Sequence, residues 1–119
     1  MRILITGSRN WTDREAIRNA IAEQSEPAWD VTVVHGSARG ADEHANWVAL
    51  ELGLNPEAHP AQWAQHGKKA GPLRNQQMVD AGADICLAFP LGKSVGTWDC
   101  VRRAKAAGIP VKVYGQQEG

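Results

Sequence analysis

The chain has 119 residues, 43% of them hydrophobic, and thirteen basic side chains balance thirteen acidic ones for a formal net charge of zero. That length suits one domain burying about two-thirds of its unfolded surface, so no disulfide or metal staple is required. Zero net charge removes the broad attraction on which non-specific duplex binding depends, and no apolar stretch has the length of a membrane span.

In chain order, Ile3-Leu4-Ile5 is a short apolar run ended by Gly7, the pattern of a strand buried on both faces. Thr12-Asp13-Arg14-Glu15 spells a capping box with Thr12 as its N-cap, and Ala16, Ile17, Ala20 and Ile21 then share one helical face. Val31 to Val34 predicts a second strand, ended by His35-Gly36. Ala45, Val48, Ala49 and Leu52 mark a second helix, stopped by Gly53. A weak third strand is expected around Pro56 to His59. A polar loop follows from Pro60 to Pro72, then a helix over Leu73 to Ala81. Ile85 to Phe89 is the clearest strand. The loop from Leu91 to Gly96 leads into a helix capped by Ser94 or Thr97 and ended at Gly108, and Val111 to Tyr114 forms the last strand. Trp29 and Trp47 read as ordinary packing.

Five strands alternating with four helices predict an α/β domain: a Rossmann-like three-layer sandwich, its five-stranded parallel sheet covered by helices on both faces. Right-handed crossovers favour the strand order 3-2-1-4-5. The domain is expected over residues 1–115, with a polar tail at 116–119. Cys86 and Cys100 form no CxxC pair and no histidines stand at ligand spacing, so neither a metal nor a cofactor is expected. Cys86, inside an apolar run, reads as a buried small hydrophobe. The apolar run at the N-terminus is too short for a signal peptide, and a cytoplasmic location is expected.

Ligands of such sheets bind outside the carboxyl ends of the strands, where the strand order reverses. The loops there are unusual. After the first strand comes Gly7-Ser8-Arg9-Asn10-Trp11; after the second, His35-Gly36-Ser37-Ala38-Arg39-Gly40-Ala41-Asp42; after the fourth, Pro90 to Asp99 with Ser94, Gly96 and Thr97. Each carries glycine and precedes a helix, whose free N–H groups and dipole suit a phosphate. Neither GxGxxG nor GxxxxGK[ST] is present, which excludes the usual dinucleotide and P-loop fingerprints. Arg74 is expected in the first turn of its helix, against the dipole, and its guanidinium fork suits phosphate or carboxylate. Asp99 and Asp42 are expected in first turns, where a carboxylate supports the helix, so helix support and chemistry both stay open for them. Trp11, Trp63 and Trp98 lie in or beside these loops as candidates for stacking on a base. His35 at a strand end reads as a satisfied, half-buried histidine ahead of a catalytic base, and Lys68 and Lys69 as surface charges, one of which could touch ligand.

Four segments together resemble a known family: Gly7-Ser8-Arg9 with Trp11-Thr12-Asp13, His35-Gly36 through Asp42, Ala70-Gly71-Pro72 with Arg74-Asn75 and Met78, and Ala88-Phe89-Pro90 with Ser94-Val95-Gly96-Thr97. In that order they are similar to the YspA-type branch of the SLOG superfamily, which is named for the Smf/DprA and Lonely Guy proteins. The resemblance runs from Ile3 to about Val113. It implies a domain binding nucleotides or nucleotide-derived ligands, with Asn75 among the binding residues, and association into homo-oligomers. The Lonely Guy enzymes cleave cytokinin nucleotide monophosphates using a glutamate in PGGxGTxxE and an upstream arginine. By resemblance, Gly96-Thr97 matches the GT and Arg74 the arginine, which makes Arg74 and Asp99 the catalytic candidates. Two features depart from the pattern. Pro90-Leu91-Gly92-Lys93-Ser94-Val95 replaces PGG, and Asp99 stands two after Thr97, whereas the enzymes' glutamate matches Cys100.

Three functions are compatible with these residues. The first is a binding domain that senses or sequesters a nucleotide-derived small molecule, for example as a signal in a phage–host or stress setting. The second is a nucleoside 5'-monophosphate N-ribosyl hydrolase. The third, ranked last because of the zero charge, is single-stranded DNA binding.

Overall fold

Ile3, Leu4 and Ile5 have no polar face to offer water, so their strand must lie between two apolar layers. The computed structural model, which describes residues 1–25 and 30–114, places it there. The chain runs β1 (Arg2–Gly7), α1 (Arg14–Ser25), β2 (Thr32–His35), α2 (Ala41–Glu51), β3 (Asn55–Ala58) and a short α3 (Trp63–His66). A 3-10 turn (Gly67–Lys69) then leads into α4 (Ala70–Ala81), β4 (Ile85–Phe89), α5 (Val95–Ala106) and β5 (Val111–Val113). All strand pairs are parallel, in the order β3-β2-β1-β4-β5 that the alternation predicts.

Strand periodicity sorts the core into two layers. Ile3, Ile5, Val33, Leu87 and Phe89 meet Ile17 and Ile21 of α1 and Ala45 and Val48 of α2. On the other face Leu4, Val34 and Cys86 meet Met78 and Val79 of α4 and Cys100 and Ala104 of α5. Each fully buried Ile, Leu or Phe stabilises by about 1.5–3 kcal/mol, so the β1–β4 pair, with Ile3, Leu4, Ile5, Leu87 and Phe89 wholly covered, anchors the sheet. Both cysteines are buried free thiols. The edge strand β3 is mostly exposed and gains a tie to β1 instead: Arg2 donates from Nη1 and Nη2 to the two Glu57 carboxylate oxygens at 2.9 and 2.8 Å.

Several local expectations need correction. Asp13, not Thr12, caps α1: its Oδ1 accepts from the Ala16 amide at 3.1 Å, and the helix starts one residue later than the capping box implies. The segment 60–72 is not all loop, since it holds α3, the 3-10 turn and the start of α4. Pro72 falls in the first turn of α4, where a missing N–H breaks no helical bond. Trp47 is 52% exposed and packs into no core. Trp29 and the tail at 116–119 lie outside the described residues. Among the described residues no helix is long and apolar enough to cross a membrane.

Candidate functional site

From β1 the chain crosses to β2 on one side, while β4 lies on the other, so the loops after β1 and β4 diverge and leave a crevice at the carboxyl edge. A cleft of about 660 Å³ opens there. Gly7, Ser8, Arg9 and Asn10 form one wall, Leu91 to Thr97 the opposite one, and Gly71, Arg74, Asn75 and Met78 of α4 the floor between them.

The wall after β1 is held by backbone. The Ser8 amide donates to the Phe89 carbonyl at 2.9 Å, and the Ser8 carbonyl accepts from the Trp11 and Ala41 amides at 3.2 and 3.1 Å. The loop after β2 lies directly against it. A methyl on Gly7 would meet Ala41 Cβ and the Phe89 carbonyl, and Gly40, at φ 72°, has the Ser8 and Arg9 backbone where a Cβ would stand. These two glycines are required by the close approach of the loops. Gly40 therefore shapes the wall without lining the cleft.

Within the loop after β2, Asp42 is buried and accepts at Oδ2 from the amides of Gly36 (3.0 Å) and Ala38 (3.3 Å). Its Oδ1 is buried without a partner. Burial raises the Asp42 pKa and outweighs the opposing pull of His35, of the two amides and of Arg74. His35 is satisfied, as expected: Nδ1 accepts from the Ser37 amide at 3.1 Å, and Nε2 pairs with Asn46 Oδ1 at 2.9 Å. Ser37 (φ 62°) and Ser94 (φ 42°) are the two non-glycine residues at positive φ among those described, and both sit in site loops. Such a backbone costs on the order of 1–3 kcal/mol and is found where surrounding structure imposes it.

At the start of α5, Ser94 occupies the N-cap position, but its hydroxyl pairs with the Thr97 hydroxyl at 2.6 Å and caps no amide. The first-turn residues Val95, Gly96 and Thr97 thus line the cleft with no side-chain cap on the helix, and nothing lies within 4 Å of where a Cβ on Gly96 would stand. Asn75 steadies this end of the helix by donating to the Gly96 carbonyl (3.2 Å) and to Asp99 Oδ2 (3.0 Å).

Arg74 and Asp99 both require revision. Arg74 is the fifth residue of α4, not a first-turn residue, so the dipole does not oppose it. Its Nη1 donates to the Gly36 carbonyl and its Nε to Asn75 Oδ1 at 3.0 Å; Gly36 is the residue that leaves room for the guanidinium. Asp99, the fifth residue of α5, lies in the second turn. Burial pushes its pKa up, but the Arg103 bond (2.9 Å) and the Asn75 bond outweigh it and hold the carboxyl below its ordinary value. Asp99 lines the cleft as a carboxylate already engaged by three partners, Asn75, Arg103 and, at 3.6 Å, Arg102. Cys100, at the position of the enzymes' glutamate, is fully buried in the apolar layer beneath α5.

The three candidate stacking residues separate. Trp63 lines the cleft, 49% exposed, with the Arg9 guanidinium 5.6 Å from its ring centre. Trp11 belongs to the core: it is 5% exposed, meets Phe89 edge-on at 5.2 Å and donates from Nε1 to the Asp13 carbonyl. Its apolar ring fills the gap between α1 and the sheet, which removes it from any base. Trp98 is half-buried and is not among the residues that line the cleft. Gly36, Ser37 and Arg39 line a smaller adjoining hollow instead of the main cleft.

Sequence reasoning missed Lys93 and Arg102 as lining cations and treated Lys68 as surface charge; all three line the cleft with Arg9 and Arg74. The available signal was spacing, since Lys93 immediately precedes the Ser94 cap and Arg102 stands three residues after Asp99 on one helical face. Against these five cations stand Asp42, buried with a raised pKa, and Asp99, already paired. A chain of zero net charge thus concentrates positive charge in its cleft.

Three comparisons bear on this geometry. The C-terminal domain of a hydrogenase from Pyrococcus furiosus superposes with a TM-score of 0.52 over 95% of this chain and 90% of that one; at 17% identity it supports the fold alone. The Gene 61 protein of Mycobacterium phage D29 is 53% identical over 122 residues, covering 98% of each chain. A family model described as YspA, cpYpsA-related SLOG family matches residues 1–66, which include the glycine loops after β1 and β2. With that match joined to the sheet order and the crevice at the strand reversal, the chain belongs to the YspA, cpYpsA-related SLOG family.

Proposed function

We propose that the protein binds a nucleotide or nucleotide-derived small molecule in the cleft at the carboxyl edge of the sheet, as a sensor or sequestering domain. One observation carries this: a cleft of about 660 Å³, within the usual range for small-molecule sites, is lined by five cations and meets the uncapped start of α5. In this account a phosphoryl group accepts from the amides of Gly96 and Thr97 and pairs with Lys93, since oriented N–H groups and the helix dipole favour an anion there. The exposed face of Trp63 supplies a stacking surface for the base. Membership of a SLOG family agrees with a nucleotide-related role.

N-ribosyl hydrolysis is the second reading, and one acid favours it: Asp99, whose pKa is lowered, lines the cleft as a carboxylate suited to positive charge developing on a ribosyl carbon. Binding ranks above it because Asn75 and Arg103 already engage that carboxylate and Cys100 occupies the enzymes' glutamate position inside the core. Single-stranded DNA ranks last, because the cations gather in a cleft and not along a backbone-length groove.

The test is thermal shift against nucleoside mono-, di- and triphosphates, followed by chromatography for released base. A ligand at one hundred times its Kd stabilises by about 2.7 kcal/mol, a readily measured shift. A shift weakened by Lys93→Ala with no base released supports binding; released base would replace it by hydrolysis, and no shift with any nucleotide would refute both.

A further inference from the structure

The eight arginines of the chain divide unevenly. Arg2, Arg18, Arg102 and Arg103 each pair with a carboxylate: Glu57, Glu51 and, for the last two, Asp99. Among the described residues, Arg9, Arg14, Arg39 and Arg74 make no such pair, and three of these four converge on one place. Arg9, Arg39 and Arg74 line a hollow of about 290 Å³ beside the main cleft, together with Ser37, Pro60 and Trp63 and with no acidic side chain. Arg74 is held there by neutral groups only, the Gly36 carbonyl and Asn75 Oδ1. The nearby Asp42 is inside the protein, with its Oδ2 turned to two amides, and offers no ion pair to any of the three.

Arg9, Ala38, Trp63 and Arg74 line both spaces, so the hollow and the cleft communicate. Between them stands the Arg9–Trp63 pair, with guanidinium and ring 5.6 Å apart. The cations found on one side only are Arg39 in the hollow and Lys68, Lys93 and Arg102 in the cleft. Three guanidinium groups without an ion pair in one recess match the planar, multidentate recognition of an oxyanion.

We propose that this hollow is a second anion subsite, so that the ligand is a nucleotide carrying two anionic groups held apart, one at the start of α5 and one among Arg9, Arg39 and Arg74. This rests on the nucleotide reading of the main cleft and narrows it. A nucleoside 3',5'-bisphosphate carries its two anions on opposite sides of the ribose, as two separate subsites require, whereas the phosphates of a 5'-diphosphate are adjacent.

The experiment is calorimetric titration of the wild-type chain, Arg39→Ala and Arg39→Lys with nucleoside 5'-monophosphates, 5'-diphosphates and 3',5'-bisphosphates of adenosine and guanosine at one ionic strength. The bisphosphate of the preferred base should bind at least tenfold tighter than its monophosphate, and the diphosphate should gain less. In Arg39→Ala the ratio of bisphosphate to monophosphate affinity should fall toward one, and Arg39→Lys should restore part of it. Because Arg39 is exposed, an unchanged melting temperature will confirm that the variants fold. A monophosphate that binds wild type as tightly as the bisphosphate, or a ratio that survives Arg39→Ala, overturns the second subsite and leaves the nucleotide reading standing. No binding by any of the series overturns both.

Discussion

Gly40 is where the geometry makes its sharpest demand on sequence. Replacing it by alanine imposes two separate costs. A backbone at φ 72°, ψ −123° lies outside even the left-handed helical well, in a region open essentially to glycine, and costs an L-residue on the order of 1–3 kcal/mol. The added methyl also lands within 3.0 Å of the Ser8 carbonyl and the Arg9 backbone, atoms that cannot rotate aside as a side-chain tip can. Overpacking of that kind typically costs about 1–3 kcal/mol. Together Gly40→Ala should lose about 2–6 kcal/mol, and for a chain of this size the melting temperature should fall by on the order of 10 °C. Gly67→Ala is the matched control: its φ is 57°, yet nothing lies within 4 Å of the new Cβ. With ψ −133° it shares the backbone region of Gly40 and should show the backbone cost alone, on the order of 1–3 kcal/mol. Differential scanning calorimetry on both variants separates the two contributions. If Gly40→Ala loses no more than Gly67→Ala, the loops after β1 and β2 do not pack as described, and the wall of the cleft is wrong.

Other perturbations test other joints. The Arg2 fork, then His59, holds the Glu57 carboxyl down to about 2, so its contribution is present above the unfolded value of about 4.3 and is lost as pH falls through about 2. Glu57→Gln should therefore lower the melting temperature at pH 6 and converge on wild type near pH 2; parallel curves would contradict the tie. Asp42 has the opposite sign: burial raises it, so its contribution is full below about pH 3.9 and declines as pH rises toward the raised value. Asp42→Asn, shaped like the protonated acid, should gain on wild type between pH 4 and pH 7 in thermal melts, and a constant offset would refute the assignment. Asn75→Ala removes the side-chain donor to the Gly96 carbonyl and one of the donors to Asp99, at a cost of about 0.5–1.5 kcal/mol per bond. Hydrogen exchange should then quicken in the first turns of α5, and unchanged exchange there would count against Asn75 as the brace.

The layers were legible because β1, β2 and β4 are buried on both faces and their residues leave no alternative. The edges were harder to read. β3 contains Pro56, exposes most of its residues and depends on Glu57 reaching Arg2, a contact 55 positions away that no local pattern announces. The four residues of α3 are too few for a helical period to show. The helix expected from Leu73 begins three residues earlier, at Ala70, because the first turn of α4 tolerates Pro72 at its third position. Of the residues that line the cleft, Gly7, Ser8 and Arg9 after β1, Arg74 and Asn75 in α4, and Asp99 in α5 could be named from the sequence. Loop position alone could not separate Trp63, which faces the cleft, from Trp11, whose ring turns inward onto Phe89. Nor could it separate an aspartate that is free from one that Arg103 and Asn75 already hold.

The most direct test of the central claim is a map of where a nucleotide sits. Amide spectra of the ¹⁵N-labelled protein, titrated with the tightest nucleotide from the calorimetric series, should show the largest shifts at Ser8, Gly96 and Thr97 and at the Trp63 indole. Residues at the opposite edge of the sheet, such as Asp30 and Asp84, should stay fixed. Shifts centred on that opposite edge, or none at saturating nucleotide, would contradict the assignment of the cleft.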